Sequence, residues 1–247
     1  MPDNKPNYGG FPLTRNSAIL ALKQSDPNSR RAALNQIIAL YWPPVYRYLR
    51  LRWNKDSDTA ADLTQGFFLT ALEKEFLADF DPQKARFRTF IRLCLDRYVA
   101  KQIESATRQK RGGDLEHLSL DFAAIERDLA RSSAAHSLTP EELFDQEWIR
   151  NLFSSAVEKL KLDCERSGKS IHFAIFERYD LQSLDSDEKS SYQELADRHS
   201  ITVETVTNYL SAARRDFRKI VLELLRDLCG SDEEYRNEVR SILGIEL

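Results

Sequence analysis

Between residues 84 and 111 the chain sets nine cations, Lys84, Arg86, Arg88, Arg92, Arg97, Lys101, Arg108, Lys110 and Arg111, against only Asp96 and Glu104. A stripe of that density attracts a phosphate backbone through charge neutralisation and counterion release. Phe87, Phe90 and Tyr98 are interleaved with the cations and offer ring faces on which unpaired bases can stack. The same residues also suit a solvated helix face laid over a core, with Phe90 as a core side chain. Charge alone does not choose between the two.

A second constellation lies further along. Ser191-Tyr192-Gln193-Glu194 has the spacing of a capping box, in which a hydroxyl and a carboxylate satisfy each other's backbone donors at a helix start. His199-Ser200-Ile201 reads as a turn. Thr202 then caps another helix, with Glu204 in its first turn where the helix dipole favours an acid. Val203, Val206, Leu210 and Ala213 fall on one face of that helix and are expected to point inward. Helix, short turn and helix with this apolar spacing is the arrangement whose second helix enters the major groove of DNA. Thr205, Thr207, Asn208 and Ser211 would face base edges, while Arg214, Arg215 and Arg218 suit phosphates.

No other chemistry competes with these two. There is no phosphate-cradling glycine loop, no nucleophile elbow and no His/Asp/Glu set at metal-ligand spacing, so no catalytic residue, metal or cofactor is expected. Cys94, Cys164 and Cys229 lie far apart and read as free thiols of a reducing compartment. The N-terminus lacks the layout of a signal peptide, and no run approaches the roughly 18 apolar residues of a membrane span. A cytoplasmic protein without membrane contact is expected.

The elements that must carry these residues are helical. In 247 residues there are eight glycines and eight prolines, few for a protein of many strands and tight turns, and apolar residues recur at spacings of three and four. The N-terminal half predicts a short helix at Ile19–Leu22, a kinked or restarted helix through Pro43-Pro44, a filled amphipathic helix from near Asp58, and a long helix ending near Arg111-Gly112-Gly113. Residues 113–140 have weak periodicity and a net charge of −3, and read as an acidic linker ending at Thr139-Pro140, a cap with proline at the first helical position. The C-terminal half predicts helices at about 141–166, 170–180, 191–198, 203–228 and 232–243. The expectation is an all-α chain with a mobile leader at 1–13, helical domains at 14–112 and 141–228, a linker at 113–140 and an acidic extension at 229–247.

With these motifs in this order, the chain resembles the extracytoplasmic-function group of bacterial sigma factors, the promoter-specificity subunits of RNA polymerase. Ala60-Ala61-Asp62-Leu63-Thr64-Gln65-Gly66-Phe67-Phe68 is similar to the family's helix that docks on the clamp helices of the polymerase β′ subunit. Arg86-Phe87-Arg88-Thr89-Phe90-Ile91 through Gln109-Lys110-Arg111 resembles the part that melts and captures the minus-10 element. Tyr192-Gln193-Glu194-Leu195-Ala196 through Ala213-Arg214 resembles the reader of the minus-35 element.

The resemblance implies a non-enzymatic initiation factor whose partners are core RNA polymerase, through the clamp helices and the β flap tip, and promoter DNA. An anti-sigma protein or a kinase would be a further regulator. Asp62, Leu63, Gln65 and Phe68 carry over as polymerase contacts. The minus-10 set is Arg86, Arg88, Arg92, Arg97, Tyr98, Lys101, Arg108, Lys110 and Arg111, and the minus-35 set is the recognition-helix group above. The linker would thread near the polymerase active site, its negative charge imitating nucleic acid.

The chain departs from the family pattern at Gly66, where members commonly carry an acid, and at Ser200, where a glycine is common. Thr207-Asn208-Tyr209 and Ala212 are less basic than usual. The residues also fit a stand-alone helix-turn-helix regulator acting as a dimer, or an adaptor that binds polymerase and has lost DNA contact. The C-terminal extension, of net charge −4 from Asp227 onward, is either a solvated capping helix or an appendage folded back on the basic face of the minus-35 reader.

Overall fold

Side-chain caps set where the helices begin. The computed structural model describes residues 17–23, 26–106, 120–129, 138–182 and 190–246, and every regular element among them is helical. Ser17 caps α1 (Ala18–Ala21). Asp26 accepts from the amides of Asn28 and Ser29 to open α2 (Pro27–Leu51), and Asp56 does the same at Thr59 for α3 (Ser57–Lys74). After a 3-10 turn at Phe76–Asp79 comes α4 (Phe87–Ala106), then the short α5 (Phe122–Leu129). Thr139 and Glu142 form a full capping box at the start of α6 (Pro140–Arg166). α7 (Ser170–Phe176) runs into a wide turn of π type at Glu177–Leu181, and α8 (Tyr192–His199), α9 (Val203–Asp227) and α10 (Asp232–Leu243) complete the chain.

Pro43 and Pro44 lie inside α2 without ending it. A proline has no N–H for the carbonyl four residues back, so Pro44 leaves the Leu40 carbonyl without its helical donor. The Asn151 side-chain amide of α6 donates to that carbonyl at 2.7 Å. The prolines thus create an acceptor that α6 fills, and α2 stays helical.

The core is continuous across both halves of the chain. α2 packs on α1 and α3 and, from the second half, along α6. Tyr41 and Phe87 meet edge to face at 5.5 Å, as do Tyr48 and Phe144; Tyr41, Tyr48, Phe87 and Phe144 are all fully buried. Arg47 of α2 faces Glu147 of α6 at 3.3 Å, both nearly inaccessible. The expected halves, 14–112 and 141–228, therefore share one hydrophobic interior here, without a gap between them.

Within the expected linker, residues 120–129 are described and form α5. Asp121 accepts from the Ala124 amide at its start, Phe122 meets Trp42 edge to face and lies tilted against Tyr46, and Glu126 takes hydrogen bonds from Tyr46 and from two nitrogens of Arg50. This stretch is a docked helix, where the sequence suggested an irregular tether. The leader at 1–13 lies outside the described residues.

Candidate nucleic-acid interfaces

α8, its turn and α9 build the first candidate surface. The Ser191–Glu194 box starts α8, and Ser200 closes it in the left-handed conformation, φ 53°, which L-residues other than glycine, asparagine and aspartate seldom adopt. Ser200 thus performs in this turn the backbone role for which glycine is usual. Thr202 then accepts from the Thr205 amide to start α9. Val206, Leu210 and Ala213 are buried as expected, whereas Val203 is exposed.

Thr207, Asn208, Ser211, Arg215 and Arg218 all lie on the exposed face of α9. Thr205 is half-buried and its hydroxyl meets that of Thr202 at 2.8 Å. Arg214 is engaged elsewhere: it makes a two-pronged ion pair with Asp180, at 2.7 and 2.8 Å, and lies over the Tyr179 ring. That carboxylate raises the guanidinium pKa. Arg214 ties α9 to the π-type turn, so it is less available to phosphate than Arg215 or Arg218.

α4 builds the second surface, and its two halves differ. Arg97 and Lys101 are exposed and border a groove of about 380 Å³ walled by Phe76, Phe90, Cys94 and Tyr98, with Thr70 and Asp79 at its edge. Burial pushes the Cys94 thiol up to about 11, so it stays protonated at neutral pH and acts as a wall. Aromatic sides with two cations at the mouth can take a flat ring and its phosphate.

The N-terminal half of α4 is occupied by the protein's own acids. Arg88, expected to reach DNA, is 4% exposed; it pairs with Glu238 of α10 at 2.6 Å and Asp145 of α6 at 2.9 Å and lies over Trp148. Arg92 is largely buried, between Asp96 at 3.1 Å and Glu141 at 3.8 Å. Arg86 is half-exposed, 3.5 Å from Glu238. Phe87, expected among the stacking rings, is wholly in the core. Arg108, Lys110 and Arg111 lie outside the described residues.

The acids around Arg88 belong to elements far away in sequence. Glu238 and Glu234 are 3% and 7% exposed, and Glu234 accepts from the backbone amides of Phe87 and Gly230. Burial raises the pKa of both carboxyls and of Asp145. The C-terminal extension thus lies on the start of α4 rather than on the exposed face of α9. Its remaining ties to α9 are at that helix's far end, where Arg226 pairs with Asp232 at 2.7 Å and lies over Tyr235.

On α3, Asp62 is exposed and Leu63 and Gln65 are half-exposed. Phe68, the fourth expected polymerase contact, is fully buried and packs edge to face on Phe67 at 5.1 Å; it supports the helix from inside. Gly66 has a specific reason: a Cβ there would lie 2.3 Å from the Tyr98 hydroxyl. The glycine makes room for a ring of the α4 groove.

Sequence reasoning missed Glu126 as the partner of Arg50, Asp145 and Glu238 as partners of Arg88, and Glu234 as the acceptor at the Phe87 amide. The Asp121 cap and the spacing of Phe122, Ile125 and Leu129 signal α5; nothing local signals the other three. Comparison with family models, curated proteins and solved structures yields no match. Among the described residues no helix is long and apolar enough to cross a membrane.

Proposed function

We propose that this chain is a sigma-type initiation factor: it binds core RNA polymerase, reads promoter DNA through α8–α9, and holds unpaired bases against α4. The observation that carries the proposal is the α8–turn–α9 unit, whose inner face is buried through Val206, Leu210 and Ala213 while Thr207, Asn208, Ser211, Arg215 and Arg218 stand exposed along the outer one. Short polar side chains followed by cations suit base edges first and phosphates next. The α4 groove supplies the second need of initiation, a place for a flat ring beside positive charge. Asp62, Leu63 and Gln65 form the accessible part of the proposed clamp contact, a set that omits Phe68.

No hydrolysis enters this reading; melting draws on the free energy of holding unstacked bases. The test is open-complex formation on promoter DNA by core polymerase with and without the chain, followed by permanganate footprinting. Polymerase-dependent opening is expected. Binding to polymerase with no opening would replace the reading by an adaptor. Sequence-specific duplex binding that needs no polymerase would replace it by a stand-alone regulator.

A further inference from the structure

The placement of α10 has a consequence for the cations beneath it. Its buried side chains are Glu234, Glu238 and Val239, so two carboxylates and one valine form the centre of its contact, with Tyr235, Ile242 and Leu243 half-buried against the core around them. Glu238 lies between Arg88 and Arg86, and Glu234 accepts from the first amide of α4. Buried ion pairs of this kind return little net stability, because the cost of desolvating both charges offsets much of their attraction. A helix held this way can be exchanged for another polyanion that offers the same arginines equivalent charge.

We propose that α10 is a detachable acidic latch: in the free chain its carboxylates take the places on Arg86 and Arg88 that the phosphates of a nucleic-acid strand take when α10 leaves. The inference rests on the reading of α4 as a nucleic-acid surface, and it adds the element that governs access to that surface. Asp145 of α6 stays on the other side of Arg88 and keeps that side chain oriented when Glu238 withdraws. The pivot is Gly230, where a Cβ would come within 2.8 Å of the buried Phe80 ring and 3.4 Å of Pro82. α10 can seat only because that position lacks a side chain.

Two variants of the full chain release the latch by unrelated means. Glu234→Gln with Glu238→Gln removes the charge and keeps hydrogen-bonding groups of the same shape. Gly230→Ala keeps every charge and wedges the pivot off Phe80. Binding of a fluorescent single-stranded oligonucleotide is measured across salt concentrations, with hydrogen exchange at the Phe87 amide and along α10 reporting release. Both variants should expose those amides and bind the strand at least about tenfold tighter at low salt. Two freed arginines should also steepen the salt dependence by about 1.4 in log–log slope, at about 0.7 per cation for single strands. Adding Arg86→Ala and Arg88→Ala should cancel the gain. In the unaltered chain, a saturating strand should itself deprotect α10.

If the variants release α10 and the strand binds no tighter than to the unaltered chain, the latch is refuted and α4 remains a binding surface through Arg97 and Lys101. If α10 is released and no form of the protein binds a strand, the nucleic-acid reading of α4 fails as well. A saturating strand that leaves α10 fully protected also overturns the latch, whereas first contact at Arg97 and Lys101 with α10 still seated does not.

Discussion

Asn151 gives the most direct test of how the two halves of the chain are joined. Its amide donates at 2.7 Å to the Leu40 carbonyl, an acceptor that exists only because Pro44 has no N–H. Asn151→Ala should strand that part-buried carbonyl, at a cost of about 1–3 kcal/mol. In a Pro44→Ala background the new amide of residue 44 closes the ordinary helical bond to Leu40, and the same substitution should cost only its lost contacts, about 0.5 kcal/mol. The coupling in a double-mutant cycle is then about 0.5–2.5 kcal/mol, centred well above the roughly 0.3–0.5 kcal/mol scatter of independent sites. Urea unfolding of the four proteins followed by circular dichroism measures it, and for a chain of this size each kcal/mol also moves the melting temperature by about 2–4 °C. Costs that simply add would refute the reasoning, because they would mean that Asn151 does not serve the acceptor that Pro44 creates.

Ser200→Gly should stabilise the chain by about 1 kcal/mol in thermal melts, since glycine adopts the left-handed conformation without the Cβ clash; loss of stability would mean the hydroxyl has a role in the turn. Gly66→Ala should destabilise by about 1–3 kcal/mol through collision with the Tyr98 hydroxyl, and Tyr98→Phe, which removes that atom, should recover part of the loss. Arg50 and Tyr46 hold the Glu126 carboxyl below its ordinary pKa. Its contribution is therefore complete above the unfolded value near 4.3 and disappears as pH falls through the lower folded one. The melting-temperature gap between the unaltered chain and Glu126→Gln should be open at pH 7 and closed near pH 3; a gap independent of pH would assign the effect to packing.

What could be read from residue order is what residues decide among near neighbours. The Ser191–Glu194 box and the Thr139 cap with Pro140 after it act within three positions, and the structure starts α8 and α6 where those side chains predict. The inward set Val206, Leu210 and Ala213 follows from helical period alone, whereas Val203, at the first turn, is exposed. Charge counting was informative in sign and blind in pairing. It identified the cations of α4 and the acids of the C-terminal extension, but which acid meets which arginine depends on how α10 folds back over α4, a long-range matter that no local pattern encodes. The same holds for Phe68 and Phe87: an aromatic ring at helical spacing serves a core or a partner equally well until the neighbouring helices are in place. Gly66 shows the limit most plainly, since its need for a bare Cα arises only from Tyr98 on another helix.

The two proposed DNA surfaces differ in what already sits on them, and that difference bears on how initiation would be ordered. Among the described residues, no acid pairs with the outward side chains of α9 named above other than Arg214, so duplex could dock there without rearranging the protein. Arg86, Arg88 and Arg92 each face carboxylates from α6, α10 or α4 itself, so the first turns of α4 must exchange partners before they can hold a strand. Arg97 and Lys101, beside the aromatic groove, are the cations a single strand could reach first. Arg97→Ala with Lys101→Ala should therefore weaken strand binding in the latched and the released forms alike, whereas Arg86→Ala with Arg88→Ala should matter only after release. Equal effects of the two pairs in the latched chain would mean that the carboxylates of α10 do not compete for Arg86 and Arg88 in solution.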